Sequence, residues 1–170
     1  MLEKKIKDGI EILNEESCAE AKVLNIFNDI CFEFCIEQFS IAVFAGKEDI
    51  TESFYIYDTY SKEWIERYRN QQYYLYDPVF SSLQKVAIPF EWDTESFQNI
   101  LPAQKNVMRE ARDFGICSGI TISLIPHRTF HGFVTVLNKP FLHYDVLSTL
   151  SLIGNISVNK IISEKNKKTD

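Results

Sequence analysis

Tyr60-Ser61-Lys62-Glu63-Trp64-Ile65-Glu66-Arg67-Tyr68 opens a stretch that continues through Asp77-Pro78 to Phe90-Glu91-Trp92. Trp64 and Tyr68 are spaced i,i+4, so a helix over Ser61–Arg69 carries both rings on one face. Asp77-Pro78 is a helix-start signal, because Asp can cap the free N–H groups and Pro at the first position sacrifices no needed donor. That helix is expected to run to about Lys85. Indole and phenol groups join a large apolar area to one polar handle, which suits a pocket for an amphipathic ligand. Each residue also has an ordinary reading. Asp77 can be a helix cap alone, Trp64 and Tyr68 a plain amphipathic face, and Trp92 core. The joint spacing is what argues for a site.

Outward from this stretch, the periodicity alternates between helix and strand. Leu2, Ile6, Ile10 and Leu13 mark a first amphipathic helix. Ser17 and Glu20 have the form of a capping box for a second, from near Cys18 to about Cys35, burying Val23, Phe27, Ile30 and Phe34. Phe39–Ala45 reads as a strand with Phe39, Ile41 and Val43 on one face, and Ser53–Tyr57 as the next. Val86–Trp92 is short and extended. Gln104–Phe114 is a helix stopped by Gly115. Strands over Gly119–Ile125 and Gly132–Leu137 flank a turn around His127–His131, and a long helix runs from about Leu142 to Ile162. Neighbouring strands imply an antiparallel sheet of about five strands. Helices before, between and after it cover both faces, which makes a three-layer α/β/α sandwich. Residues 1–162 form one domain, and 163–170 read as a polar tail or the start of a linker.

The chain has 170 residues, 45% apolar and 25% charged, a globular composition large enough to enclose a small pocket. A net charge of −6 argues against binding a phosphate backbone through this segment. No apolar run suggests a membrane span, and the charged N-terminus is not followed by a secretion-type apolar region. A cytoplasmic location is therefore expected, with Cys18, Cys31, Cys35 and Cys117 as reduced core residues. Cys31 and Cys35 are i,i+4, but no second ligand pair stands at metal-binding spacing, so neither metal nor cofactor is expected. His127, His131 and His143 lie away from the aromatic stretch. There is no Gly-x-Ser-x-Gly elbow and no helical histidine pair with a glutamate, so the chain is not expected to be an enzyme.

The pattern Tyr60-x3-Trp64-x3-Tyr68, with Asp77-Pro78 following and Trp92 beyond, resembles the autoinducer-binding domain of LuxR-type quorum-sensing regulators. Gly115-x3-Gly119-x-Thr121 and the strand Gly132-Phe133-Val134-Thr135-Val136 extend the likeness to roughly residues 17–162. Ser123 stands where the family often has proline. The resemblance implies a cytoplasmic, dimeric sensor of an acyl-homoserine lactone with no other cofactor. DNA would be bound only through a helix-turn-helix domain that these residues do not contain. It also implies roles. Trp64 donates to the lactone carbonyl, and Asp77 accepts from the ligand amide. Tyr60 and Thr135 donate to the acyl carbonyl, Tyr68 lies along the acyl chain, and Trp92 packs on the lactone ring. If Thr135 points inward, Phe133 and Leu137 do so too, while Val134 and Val136 face the other layer. Tyr55, Tyr57, Tyr73, Tyr74, Tyr76 and Phe80 are candidates to line or cover the pocket, and such bulky walls favour a short acyl chain. The alternative is an orphan, ligand-independent member that acts by protein–protein contact or binds another small signal.

Overall fold

In the computed structural model the strand-forming residues make a five-stranded antiparallel sheet in the order β2-β1-β5-β4-β3. The strands are β1 (Phe39–Ala45), β2 (Ser53–Asp58), β3 (Phe90–Asp93), β4 (Ser118–Ser123) and β5 (Phe130–Leu137). The helices are α1 (Leu2–Leu13), α2 (Glu20–Glu33), α3 (Lys62–Asn70), α4 (Pro78–Leu83), α5 (Pro102–Asp113) and α6 (Tyr144–Lys167). The structure describes residues 2–15, 20–45, 53–83, 88–97, 99–124, 130–137 and 142–167. The expected capping box, the first turn after β1 and the His127 turn lie wholly or partly outside these residues.

The period-2 alternation of the strands divides the molecule into two cores. Phe39, Ile41 and Val43 of β1 face one way, with Ile120 and Ile122 of β4 and Val134 and Val136 of β5. Against them pack Val23, Phe27 and Ile30 of α2, Leu13 of α1, and Leu150, Ile153 and Ile161 of α6. The opposite face meets α3, α4 and α5, where Trp64, Tyr73, Val79, Trp92, Val107, Met108, Ala111 and Leu137 form a smaller cluster. The result is the expected α/β/α arrangement. Thr135 and Leu137 fall on the second side and Val134 and Val136 on the first, as the alternation required.

Several local expectations are refined. Ser61 caps α3, its Oγ accepting the Trp64 backbone N–H at 3.2 Å. A single 3-10 turn at Tyr73–Leu75, absent from the sequence reading, joins α3 to the Asp77 corner. The last helix continues through Lys167, five residues into the stretch expected to be tail or linker.

The cysteine reading needs correction. Cys31 is buried and its thiol is pushed up to about 12 by that burial, but Cys35 and Cys117 are exposed. Cys35 sits at φ 54, past the end of α2, so it does not share a helix with Cys31. The expectation that no segment is apolar enough for a membrane is also too strong. Tyr144–Ser163 of α6 has a mean hydropathy of 1.3 and reaches that threshold by length and composition. Here that helix buries Leu150, Ile153, Val158 and Ile161 in the first core, as a central helix of a layered domain does.

Candidate ligand-binding site

Between the second face of the sheet and α3, α4 and α5 lies a cavity of about 380 Å³. That is within the range of small-molecule sites, about 300–1,000 Å³, and near its lower end. Tyr60, Trp64, Tyr68, Asp77, Trp92 and Thr135 all line it. Residues spread over 75 positions of sequence therefore converge on one space, because α3 and the Asp77 corner lie across the floor made by β1, β5, β4 and β3.

The polar groups are individually placed. Asp77 Oδ1 accepts the backbone N–H of Val79 at 2.8 Å and of Phe80 at 3.3 Å, which is the expected cap of α4. Its Oδ2 accepts the Tyr68 hydroxyl at 2.8 Å. A carboxylate offers about four acceptor positions, so one remains for another donor. Burial raises the Asp77 carboxyl above its usual range, opposed by those same three donors. Burial likewise holds the Tyr68 phenol well above its ordinary value, with the charge of Asp77 and the hydrogen bond to it acting in the same direction. Tyr68 thus meets Asp77 with its hydroxyl while its ring stays against Trp64, at 5.6 Å between centroids.

Trp64 is 5% exposed, and its indole N–H has no hydrogen-bond partner among the described residues. Its ring is fixed edge-on or tilted against Tyr68, Tyr73 and Phe114, with centroids 5.4 to 6.0 Å away. Tyr60 also lines the cavity, its hydroxyl sharing a hydrogen bond with Ser40; burial pushes its phenol upward.

Trp92 is positioned by a contact that the sequence reading did not find. Its Nε1–H donates to Thr121 Oγ1 at 2.9 Å, and Thr121 Oγ1 is 3.0 Å from Thr135 Oγ1. Thr121 thus links the ring of Trp92 to the hydroxyl of Thr135. When Thr121 gives its proton to Thr135, the proton of Thr135 is free to point into the cavity. The indole of Trp92 lies over Gly119, where a Cβ would come within 2.5 Å of Trp92 Cζ2 and 2.7 Å of the Val136 carbonyl oxygen. Only glycine fits beneath that ring.

Of the six additional aromatics considered, Tyr74 and Phe80 line the cavity. Phe80 lies 6.1 Å from Phe133 on the floor. Tyr57 does not contribute; it is paired with Ile41 and stacks near Phe39 in the other core. Tyr73 is buried behind Trp64 and Tyr68, and Tyr76 is exposed. The side chain of Tyr55 lies outside the described residues. Ser40, Asp58 and Arg69 line the cavity and were not anticipated. Each is a polar residue at an element end, where sequence alone reads solvated surface.

The roof is held to its neighbour by a polar cluster. Glu110 of α5 takes the Tyr73 hydroxyl and Asn106 Nδ2, the latter at 3.2 Å, and pairs with Arg67 of α3 at 3.5 Å. The bond from Tyr73 is the main reason the Glu110 carboxyl is held below its ordinary range.

Comparison with known proteins bears on what such a cavity holds. The autoinducer binding domain family matches residues 19–150. The transcriptional activator protein PhzR of Pseudomonas fluorescens is 30% identical over 66 residues, which is 39% of this chain and 25% of that protein. Among solved structures, SdiA of Escherichia coli superposes with a TM-score of 0.74 at 16% identity, over 95% of this chain and 67% of that one. The N-acylhomoserine lactone dependent LuxR family transcription factor CepR2 of Burkholderia cenocepacia gives 0.69 at 15% identity, over 96% and 94%. At those identities the two structures speak for the fold.

Proposed function

This chain belongs to the autoinducer-binding domain family, and on that premise we propose that it is the receptor for an acyl-homoserine lactone. The observation that carries the reading is the complement of unfilled polar capacity around one apolar cavity. Such a ligand has an amide N–H, an amide carbonyl, a lactone carbonyl and a hydrocarbon tail. Each polar atom buried without a partner costs about 1–3 kcal/mol. The open acceptor position on Asp77 suits the amide N–H. The indole N–H of Trp64 suits the lactone carbonyl. The hydroxyls of Tyr60 and Thr135 suit the amide carbonyl, and Trp92 suits packing against the lactone ring. Tyr68 serves the site mainly by holding Asp77, with its ring edging the tail. A volume near the lower end of the usual range, walled in part by Phe80 and Tyr74, favours a short acyl chain.

In this reading the domain is a sensor and not a catalyst. It acts in the cytoplasm as a homodimer, and it influences DNA only through a separate helix-turn-helix domain. The carboxylate of Asp77 and the donors opposite it hold the lactone and provide no activated nucleophile. The test is thermal unfolding of the purified chain against acyl-homoserine lactones of graded length. A ligand at a hundred times its Kd stabilises the folded state by about 2.7 kcal/mol, a readable rise in Tm. No rise with any lactone at saturation refutes the assignment.

A further inference from the structure

The strand register aligns polar residues in one row across the cavity floor. Thr121 is paired with Thr135, Thr135 with Ser40, and Ser40 with Asp58. Thr135, Ser40 and Asp58 all line the cavity. Neighbouring strands are about 4.8 Å apart, so the row extends about 10 Å beyond Thr135, from β5 to the edge strand β2. The proposed ligand uses Thr135 and Tyr60 at its amide carbonyl. Its acyl chain would then leave the carbonyl beside Ser40 and Asp58, at the start of the tail, where hydrocarbon alone would leave a carboxylate poorly matched.

Asp58 has capacity to spare. Its Oδ1 accepts the Tyr60 backbone N–H at 3.3 Å, and no hydrogen bond engages its Oδ2 among the described residues. The carboxyl is half-buried, and burial raises it above the ordinary range, against the opposing pull of the Tyr60 N–H and the Arg69 charge. Ser40 is 7% exposed and its hydroxyl is already engaged with Tyr60. Arg69 reaches the cavity from α3 and is itself exposed. The group facing the start of the tail is therefore an under-used acceptor.

We propose that this receptor selects a signal whose acyl chain carries a hydroxyl close to its carbonyl, with Asp58 accepting that hydroxyl's proton in a hydrogen bond. The inference rests on the lactone reading above and narrows it. An ionised carboxylate only accepts, so it welcomes a hydroxyl, gains nothing from a methylene, and repels the lone pairs of a keto oxygen. A site built to bond a ligand hydroxyl discriminates strongly against the analogue that lacks it.

The experiment is isothermal titration of the purified chain with three lactones of equal chain length, bearing hydrogen, hydroxyl or keto oxygen on the third acyl carbon. The hydroxylated ligand should bind at least roughly tenfold tighter than either of the others. In Asp58→Asn, whose amide both accepts and donates, that preference should shrink to within about threefold as the keto ligand gains. A circular-dichroism spectrum and a ligand-free Tm matching wild type would show that Asp58→Asn is folded. Equal binding of all three by the wild-type chain overturns this inference and leaves the lactone reading standing. Tighter binding of the keto ligand also overturns it, and makes Arg69 the reading group. Failure of all three to bind overturns both.

Discussion

Asp77 has an observed role as a cap and a proposed role in binding, and Asp77→Asn separates them. The side chain now spends Oδ1 on the cap of α4 and part of Oδ2 on the Tyr68 hydroxyl. Asparagine keeps an oxygen for the cap and caps as well as aspartate. Its NH₂ replaces Oδ2, so Tyr68 must turn to accept, and the cavity is offered a donor in place of an acceptor. A ligand amide N–H then meets another N–H. Loss of a hydrogen bond to a charged group costs about 1.5–3 kcal/mol, or roughly 10- to 150-fold in Kd. The ligand-free protein should not suffer. Removing a carboxylate whose charge burial disfavours leaves its Tm unchanged or slightly raised. Asp77→Ala, by contrast, loses the cap at about 0.5–2 kcal/mol, which lowers Tm by roughly 1–8 °C in a domain of this size.

The pH dependence gives an independent sign. Because the folded carboxyl of Asp77 is raised above its ordinary 3.8, the folded state holds this proton more firmly than the unfolded chain does. That contribution to stability is complete below 3.8 and is lost as pH rises through the raised value. Ligand affinity runs the other way. The amide N–H requires the carboxylate, so Kd should improve as pH rises through the same interval and then level off. Asp77→Asn should remove that part of the profile. Titration calorimetry from pH 4 upward, paired with thermal melts, measures both. A variant that binds within threefold of wild type, or keeps the wild-type pH profile, refutes the role given to Asp77.

Three other perturbations have clear expectations. Thr121→Val strands the Trp92 N–H in a buried site and should cost about 1–3 kcal/mol in denaturant unfolding, a loss much reduced when Trp92→Phe is made as well; additive losses would mean that the contact carries no coupling. Gly119→Ala drives a methyl into the Trp92 ring and should cost about 1–3 kcal/mol while shifting tryptophan fluorescence, because the ring has to leave Thr121; an unmoved spectrum would contradict the packing. Trp64→Phe keeps most of the aromatic contacts and should leave Tm nearly unchanged while weakening lactone binding about three- to tenfold by calorimetry, and equal affinity would remove Trp64 from the head-group site.

Features that depend on local chemistry could be read from the residues in order. The alternation in Phe39–Ala45, the Asp77-Pro78 corner and the Trp64–Tyr68 face follow from period and capping rules, and period alone sets Thr135 on the face opposite Val134 and Val136. Features that depend on register could not. Tyr57 resembles a pocket aromatic until its pairing with Ile41 puts it on the other face, and Asp58 is on the cavity side for the same reason of parity. The Trp92–Thr121 bond joins residues 29 apart, and only the pairing of β3 with β4 brings them together. Gly119 and Thr121 were visible as a spacing. Their physical meaning, a bare floor for an indole and an acceptor at its edge, required the neighbouring strand.

The two cores explain how the site can be so polar without loss of the fold. A strand register that slipped by one residue would exchange Thr135 for Val134 or Val136 and Ser40 for Phe39 or Ile41. The first core forbids the slip, because Phe39, Ile41, Val134 and Val136 are each 1% exposed or less against α2 and α6. The sheet is therefore registered from the side opposite the cavity. The opposite side is then free to place hydroxyls and carboxylates at fixed spacing, and to leave some of their hydrogen-bonding capacity unused. Such unused capacity would be destabilising in a closed core. Here it faces a cavity, where a bound molecule with complementary atoms would supply the missing partners. The α3–α4–α5 layer, fastened through Glu110, covers the cavity from the other side, so the apolar core sets the geometry in which the polar floor is held.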